Sequence, residues 1–154
     1  MSSVRKATEK NLPAVLALME TLVEEHCRLD PYYKPFSGYR GMKKYLSAVL
    51  KDSEKILLVA EKHEKVIGYF LGVIEEAPFY TDEKEIGVVS DTCVDPKERQ
   101  QGILKEMFEK TNEWFAKKGV RYIELSVDAR NSQAITAWRK LGFEDYKLRL
   151  RKKL

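Results

Sequence analysis

Apolar residues recur along the chain at two spacings, every three to four residues and every two residues. These are the periods of an amphipathic helix and of a half-buried strand. The helical spacing predicts helices over about 9–27, 40–51, 102–118 and from Asn131 to Gly142. Alternating or continuous apolar runs predict strands at 4–7, 56–61, 66–74, 86–94, 122–127 and from Phe143 onward. The predicted order is β-α-α-β-β-β-α-β-α-β.

This order predicts one α/β domain over residues 1–154, because no linker, repeat or low-complexity segment interrupts it. Strands 56–61 and 66–74 are joined by a short polar turn and should form an antiparallel hairpin. Strands 86–94 and 122–127 flank a helix, so they should form a right-handed βαβ unit and lie parallel. We therefore expect a mixed, mostly antiparallel sheet with one parallel βαβ unit and flanking helices.

Composition excludes several classes of protein. The 154 residues are 44% hydrophobic and 34% charged, which is typical of a globular domain. No segment approaches the roughly 20 apolar residues of a membrane span, and the N-terminus lacks the apolar stretch of a secretory signal. We therefore expect a cytoplasmic protein without a membrane partner. Cys27, Cys93, His26 and His63 do not cluster at ligand spacing, so we expect no metal.

The net charge of +4 comes from the C-terminus. Residues 147–154 carry five of the 28 basic residues and no acidic residue, and without them 23 basic residues face 24 acidic ones. Such a tail can bind nucleic acid. Its basic residues alternate with Leu148 and Leu150, however, which favours a strand with one solvated face. We expect no nucleic-acid partner.

A polar connection joins the strand at 86–94 to the next helix, in the stretch VDPKERQQGILKEM at 94–107. A helix N-terminus leaves amide N–H groups unpaired and carries partial positive charge, so it can bind a phosphate. Arg99 would add a fixed cation, and Gly102 would let the backbone approach closely. Taken alone, the pattern also fits a solvent-exposed loop. The phosphate-binding patterns GxxxxGK[ST] and GxGxxG are absent.

Three stretches resemble the GNAT family of N-acetyltransferases. RQQGIL at 99–104 resembles the family's acetyl-coenzyme A signature [R/Q]xxGx[G/A], and NSQAITAWRKLGF at 131–143 resembles its NxxAxxxYxKxGF. The opening VRKATEKNLPAVLALM resembles the first strand and helix. The resemblance covers almost the whole chain. It implies a GNAT-like fold and an acetyl-CoA-dependent N-acetyltransferase, in which a primary amine of a small molecule, protein or peptide attacks the thioester directly.

The resemblance also implies a site for acetyl-CoA as co-substrate. The backbone of Cys93 and Val94 would pair with the pantetheine arm. Asn131 would contact the arm or the departing thiol, and Arg139 would reach the adenosine phosphates. The backbone groups implied to hold the pyrophosphate are those of Arg99, Gln100, Gln101, Gly102, Ile103, Leu104 and Lys105.

Two positions depart from the family pattern. Leu104 replaces a final Gly or Ala, which a helical backbone admits if the side chain turns into the core. Trp138 replaces the Tyr that in many relatives protonates the leaving thiolate, and an indole N–H cannot act as that acid. Trp138 would then pack in the core or shape the thiol pocket.

The sequence gives no secure general base for the acceptor amine. In strand 86–94 the face of Val88, Ser90 and Thr92 carries no carboxylate, and Asp91 has the opposite parity. Asp91 should therefore point away and order the structure beneath the sheet, unless a bulge shifts it. Ser90 and Thr92 could instead hold a water molecule. The catalytic residues stay unassigned.

Several alternatives stay open. Glu75 and Glu76 could attract a cationic amine or simply be solvated. The aromatic residues of loop 29–41 could line a ligand pocket or pin the loop to the core. Because the usual Tyr is missing, a non-catalytic acyl-CoA-binding regulatory domain of the same fold is the alternative function. The acceptor, the acyl-chain length and the oligomeric state, including a homodimer, are not determined.

Overall fold

A five-stranded sheet organises the computed structural model, which describes residues 1–37 and 39–154. The strands keep their chain order across the sheet. The first four are antiparallel, and the fifth lies parallel to the fourth. The predicted mixed sheet with one parallel βαβ unit is confirmed. The strands are β1 (Ser3–Lys6), β2 (Lys55–Lys62), β3 (Lys65–Glu76), β4 (Glu85–Val94) and β5 (Ile123–Glu124).

Four α-helices flank the sheet, as the helical spacing predicts. They are α1 (Leu12–Leu29), α2 (Met42–Val49), α3 (Ile103–Lys117) and α4 (Ser132–Lys140). A short 3-10 turn precedes α1, where the Asn11 Oδ1 accepts a hydrogen bond of 2.9 Å from the Thr8 N–H. This side-chain contact satisfies a backbone donor at the entry to the helix.

Each face of the sheet has its own apolar core, because the central strands are covered on both sides. The face that packs against α1 and α2, here called the α1–α2 face, buries Leu12, Val15, Leu46, Val59, Tyr69 and Leu71. The opposite α3–α4 face buries Ile56, Leu58, Phe70, Val89, Met107 and Trp138. The functional elements therefore lie on a rigid, doubly covered sheet.

The C-terminal part differs from the prediction. β5 has two residues instead of six, and no strand follows α4 in the part of the chain that the structure describes. The predicted terminal strand is wrong. Leu148 and Leu150 are 82% and 83% exposed, while Lys147 Nζ donates a 2.9 Å hydrogen bond to the hydroxyl of Tyr80. The tail contacts the protein through the basic side chains Lys147 and Arg151 and not through its leucines, so the alternation indicated neither backbone pairing nor a buried apolar face.

Gly87 allows α3 to approach the start of β4. A Cβ added at Gly87 would lie 2.8 Å from Cε1 of Phe115, which is itself 1% exposed. The Gly87 N–H also donates to the carbonyl of Tyr122 at 2.9 Å, where β4 and β5 pair. A side chain at this position would therefore disturb both the packing of α3 and the parallel pair.

We expect Gly87→Ala to destabilise the fold by about 1–3 kcal/mol, because overpacking forces neighbouring groups to shift. Denaturant unfolding of Gly87→Ala, Phe115→Leu and the double variant would measure this cost. Removing the phenyl ring should relieve the clash, so the double variant should be more stable than the sum of the two single effects predicts. Additive effects would show that the Phe115 ring does not restrict this position.

Candidate active site

A β-bulge interrupts the pairing of β3 with β4. Leu71 pairs with Asp91, but the next residue, Gly72, pairs with Val89, so Ser90 is the extra residue. Directly opposed residues of antiparallel strands project to the same face. Asp91 therefore lies on the α1–α2 face with Leu71, whereas Val89 packs on the α3–α4 face. The bulge reverses the alternation between Val89 and Asp91.

Asp91 was expected on the face opposite to Val88 unless a bulge shifted it, and this exception is the case found. Val88 pairs with Val73, which packs on the α1–α2 face, and Asp91 faces the same side. Thr92 is on the other side, opposite Phe70. Simple alternation assumes an unbroken ladder, and one extra residue is enough to invert it.

Asp91 and Ser90 contribute to a cavity of about 260 Å³ between the sheet, α1, α2 and the loop that joins the two helices. We call it the acceptor cavity. The aromatic loop 29–41 thus contributes to a pocket, while the Tyr32 side chain is 73% exposed. The side chains lining the cavity are those of Met19, Leu22, Val23, His26, Phe36, Tyr39, Met42, Tyr45, Leu71, Ser90 and Asp91.

The carboxyl of Asp91 is held by a buried phenol. The Tyr69 hydroxyl donates a 2.6 Å hydrogen bond to Asp91 Oδ2. Burial raises the pKa of Asp91, and the hydrogen bond from Tyr69 and the charge of His26 partly oppose this rise. Burial, together with the charge of Asp91, raises the pKa of Tyr69 well above that of a free tyrosine, so the phenol keeps its proton. Asp91 is therefore an oriented carboxyl with increased proton affinity, the property expected of a general base.

Cys93 lies two residues further along β4 and is 4% exposed. Burial raises the pKa of Cys93 to about 11, so the side chain is a neutral thiol at physiological pH. The thiolate is the reactive form of cysteine. Cys93 is therefore poorly suited to carry an acyl group as a nucleophile.

Beyond Val88 the two parallel strands part. β4 and β5 pair only at Gly87 with Ile123 and at Val88 with Glu124. Among the described residues, no strand pairs with the later part of β4 on the β5 side. An opening bordered by a strand edge that lacks a neighbouring strand therefore leads from the bulge toward the end of β4.

The alternation of the antiparallel ladder decides which backbone groups face this opening. The Asp95 N–H donates to the carbonyl of Ile67 at 2.8 Å, so the backbone groups of Cys93 also point to β3. Those of Thr92 and Val94 point to the opening. The Val94 carbonyl accepts a 3.0 Å hydrogen bond there from Arg99 Nε.

The turn before α3 has the geometry of an anion site. Gly102 has φ +80° and Gln100 has φ +62°, both in the left-handed region. The N–H of Glu106 is the first to bond back to the turn, at 3.0 Å to the Gly102 carbonyl. The N–H groups of Ile103, Leu104 and Lys105 come before it. At the start of a helix such N–H groups have no intrahelical acceptor. They concentrate partial positive charge at this point.

The Arg99 side chain has a different role from the one expected. Its Nη2 donates to Glu25 Oε1 at 2.7 Å, and its Nε donates to Val94. The guanidinium therefore ties α1 to the end of β4, and it is not a free cation over the turn. Gln101 bonds to Glu98 at 3.1 Å, and Lys62 pairs with Glu98 at 2.8 Å.

Asn131 and Arg139 already have protein partners. Asn131 Oδ1 caps α4 by accepting a 3.1 Å hydrogen bond from the Ala134 N–H. Arg139 forms an exposed ion pair with Asp145 at 2.8 Å. Lys105 makes a loose pair with Glu109, at 3.6 Å. These side chains do not converge with Asp91 on one cavity.

The two departures from the family pattern are both packing residues. Leu104 packs against the core of the α3–α4 face, as expected. Trp138 is 8% exposed, and its ring centroid lies 6.3 Å from those of Phe70 and Phe108 and 5.4 Å from that of Phe143. Of its two suggested roles, the structure shows the core packing.

One polar cluster was missed by the sequence analysis. Asp30 accepts hydrogen bonds from Arg130 at 2.9 Å and from Arg151. Arg130 also bonds to Asp128, which accepts a 3.3 Å hydrogen bond from the Tyr33 hydroxyl. The cluster ties the loop after α1 to the residues before α4 and to the C-terminal tail. These segments lie about a hundred residues apart, so no local pattern could connect them.

Asp30 is ionised in this cluster and accepts its hydrogen bonds as a carboxylate. Hydrogen bonds from Arg151, from the Tyr32 N–H and from Arg130 keep the pKa of Asp30 well below its usual range. Its side chain is 8% exposed. The guanidinium of Arg151 also lies 4.5 Å from the centroid of the Tyr32 ring. The C-terminal tail is thus docked through specific side chains.

Hydrogen–deuterium exchange can test this docking. We expect Asp30→Asn to increase amide exchange in residues 29–41 and 143–154, because the two arginines lose their charged acceptor. Asp145→Asn removes an exposed carboxylate that pairs only with Arg139, and it should leave loop 29–41 unchanged. Equal protection of loop 29–41 in wild type and Asp30→Asn would contradict the anchoring role.

In the part of the chain that the structure describes, no helix is long and apolar enough to cross a membrane. Nor do the His, Cys, Asp and Glu side chains of this part form a group of three or more arranged to hold a metal ion.

Comparison with known proteins identifies relatives of the same architecture. The chain is 29% identical over 127 residues to the uncharacterized N-acetyltransferase MJ1207 of Methanocaldococcus jannaschii, a match covering 76% of this chain and 55% of the relative. The chain thus spans about half the length of that protein. A tetramutant of the BH1408 protein from Bacillus halodurans has a TM-score of 0.88 at 22% identity, with 99% of both chains covered.

The structure of AAC(6')-Iy, an aminoglycoside N-acetyltransferase in complex with the bisubstrate analog CoA-S-monomethyl-acetylneamine, has a TM-score of 0.76 at 18% identity. The match covers 100% of this chain and 99% of that one. At such identities the structural matches show a shared fold. The model of the acetyltransferase (GNAT) family matches residues 17–143, which is most of the chain, and the chain therefore belongs to this family.

Proposed function

We propose that the protein is an acetyl-CoA-dependent N-acetyltransferase acting on a primary amine of a small molecule, protein or peptide. The observation that carries the proposal is the position of Asp91. It lies in the acceptor cavity, on the strand that leads to the anion-binding turn before α3. A donor held at that turn and an amine held in the cavity would meet along β4.

The donor side of the proposal uses backbone groups. The amides of Ile103, Leu104 and Lys105 would hold the pyrophosphate, because Gly102 turns the chain so that they face outward at the helix start. The pantetheine arm would lie in the opening between β4 and β5 and pair with Thr92 and Val94. Cys93 lies between them, with its own backbone groups turned to β3. The CoA-bearing analog in AAC(6')-Iy, a protein of the same fold, supports a coenzyme A donor.

Asn131 and Arg139 remain candidate donor contacts. Asn131 could use its amide nitrogen while its oxygen caps α4. Arg139 would have to leave Asp145 to reach an adenosine phosphate. Arg139 is exposed, so leaving Asp145 would be inexpensive, because surface ion pairs contribute little.

The acceptor side provides the base. An amine with a pKa near 10 is almost entirely protonated at neutral pH and has no lone pair to attack with. Asp91 would take the proton from the ammonium, directly or through a water molecule. The neutral nitrogen would then attack the thioester carbonyl, whose oxygen could accept hydrogen bonds from strand amides. As the C–S bond breaks and the amide forms, the nitrogen loses its second proton to water. Coenzyme A leaves as a thiolate that water can protonate, so Trp138 need not act as an acid.

Gly102→Asp tests the donor site. We expect it to weaken coenzyme A binding at least about tenfold, because a carboxylate would face the pyrophosphate. Gly119→Asp is a matched control, since Gly119 also has φ +80° and open space around its Cβ but lies at the other end of α3. Calorimetric titration with coenzyme A would separate the two. Equal affinity in folded wild type and Gly102→Asp would place the phosphate elsewhere.

Asp91→Asn tests the base. We expect turnover with acetyl-CoA and a reactive amine to fall roughly 10²–10⁴-fold, while coenzyme A affinity is unchanged. Thiol release measured against pH should show kcat/KM of the wild type rising with pH through the raised pKa of Asp91, because only the carboxylate accepts a proton. Asp91→Asn should lack this rise.

An unchanged rate in Asp91→Asn would remove Asp91 from the mechanism. If the wild type binds coenzyme A but transfers acetyl groups to no amine, the non-catalytic acyl-CoA-binding alternative would replace the proposed function.

A further inference from the structure

We infer that the acceptor is a monoamine with a small aliphatic or aromatic body, and that polyamines and aminoglycosides are poor substrates. The inference rests on the proposed N-acetyltransferase activity and specifies its substrate class. It follows from the charges, the walls and the size of the acceptor cavity.

The acceptor cavity has one carboxylate to offer. Among the side chains that line it, Asp91 is the only acidic one in the described part of the chain. A first ammonium can pair with Asp91. A second ammonium within the cavity would be desolvated without a counter-charge, which is strongly unfavourable.

Other acidic groups on the surrounding elements are engaged or face solvent. On α1, Glu25 pairs with Arg99 at 2.7 Å and Glu20 is exposed. After α1, Asp30 is held by two arginines. These carboxylates are therefore unsuited to bind a second cationic group of an acceptor.

A cation also lies next to one aromatic residue of the cavity. The ammonium of Lys34 lies 5.5 Å from the centroid of the Tyr39 ring, a ring that lines the cavity. This cation occupies a face that could otherwise attract a substrate ammonium. It would repel a second positive charge on the acceptor, and it leaves Asp91 as the position for the single reacting amine.

The walls suit an apolar body. Phe36 and Tyr39 come from the loop, with ring centroids 5.5 Å apart. α1 supplies Met19 and α2 supplies Met42, and the flexible methionine side chains can adapt to different apolar shapes. A hydrocarbon or aryl group would therefore be in contact with apolar atoms while its amine reaches Asp91.

The volume of about 260 Å³ lies just below the range of about 300–1,000 Å³ typical of ligand pockets. A multi-ring, multiply charged acceptor would have to extend out of the cavity. Arg40 and Lys43, which follow the lining residues Tyr39 and Met42 in the chain, are exposed basic residues. The size of the cavity and the charges around it thus both favour a small monoamine.

Hexylamine and cadaverine form a matched pair for the test, because they are unbranched chains with the same number of non-hydrogen atoms and differ in one ammonium group. Phenethylamine and neamine extend the panel to an aryl monoamine and an aminoglycoside. Acetyl transfer from acetyl-CoA would be followed by thiol release. We expect kcat/KM for hexylamine and phenethylamine to exceed that for cadaverine and neamine by at least about tenfold, the effect of one unpaired buried polar group.

A charge variant tests whether the cavity itself discriminates between monoamines and diamines. Met42→Glu adds a second carboxylate to the wall and should raise the cadaverine-to-hexylamine ratio of kcat/KM at least about tenfold. Met42→Gln has the same shape without the charge and should leave the ratio unchanged. Melting temperatures of both variants would show that they are folded.

The outcomes distinguish a failure of this substrate class from a failure of the proposed function. Transfer to cadaverine or neamine as fast as to the monoamines would overturn the inference and leave the proposed function intact. Transfer to no amine, with coenzyme A still bound, would overturn the proposed function and this inference together.

Discussion

The extra residue in β4 is the constraint on which the site depends. If Ser90 were paired regularly with β3, the alternation would run unbroken and Asp91 would project into the same core as Val89. With the bulge, Asp91 faces α1 and α2, while the strand continues in register with β3 as far as Val94. The bulge also falls near the point where β4 loses its parallel partner. A single irregularity therefore sets both the acidic group of the cavity and the direction of the free strand edge.

The same burial that suits Asp91 to be a base costs stability. Its folded-state pKa is raised, so the folded protein binds this proton more tightly than the unfolded chain does. The corresponding stability is present at low pH and is lost as pH rises through the raised pKa. The proposed reaction needs the ionised form, so function and stability favour opposite states of the group. The Tyr69 hydroxyl reduces the conflict, because its hydrogen bond stabilises the carboxylate.

Long-range polar contacts hold the two halves of the site together. Arg99 belongs to the turn of the proposed donor site, yet its guanidinium binds Glu25 on α1, the helix that forms one wall of the acceptor cavity. Asp30 ends that helix and binds Arg130, which directly precedes the cap of α4. These ion pairs therefore connect the elements around the cavity with segments on both sides of the opening between β4 and β5. The aromatic loop is positioned by these ion pairs as well as by its apolar contacts.

The sequence by itself determined the order of elements as far as α4, the four helices, the hairpin and the parallel βαβ unit, because hydrophobic periodicity and Gly or polar turns are local signals. It also located the turn at Gly102, since a helix start after a strand has a recognisable pattern, and it indicated that Leu104 packs inward. Tertiary structure alone decided which face of the sheet Asp91 occupies. A bulge is a mismatch in the pairing of two strands, and it leaves no trace in the hydrophobic pattern of either strand alone. Tertiary structure also decided that Arg99 binds Glu25, that Trp138 joins an aromatic core and that the tail docks by side chains without forming a strand. Each of these depends on partners distant in the chain, whose proximity exists only after the sheet and helices have packed.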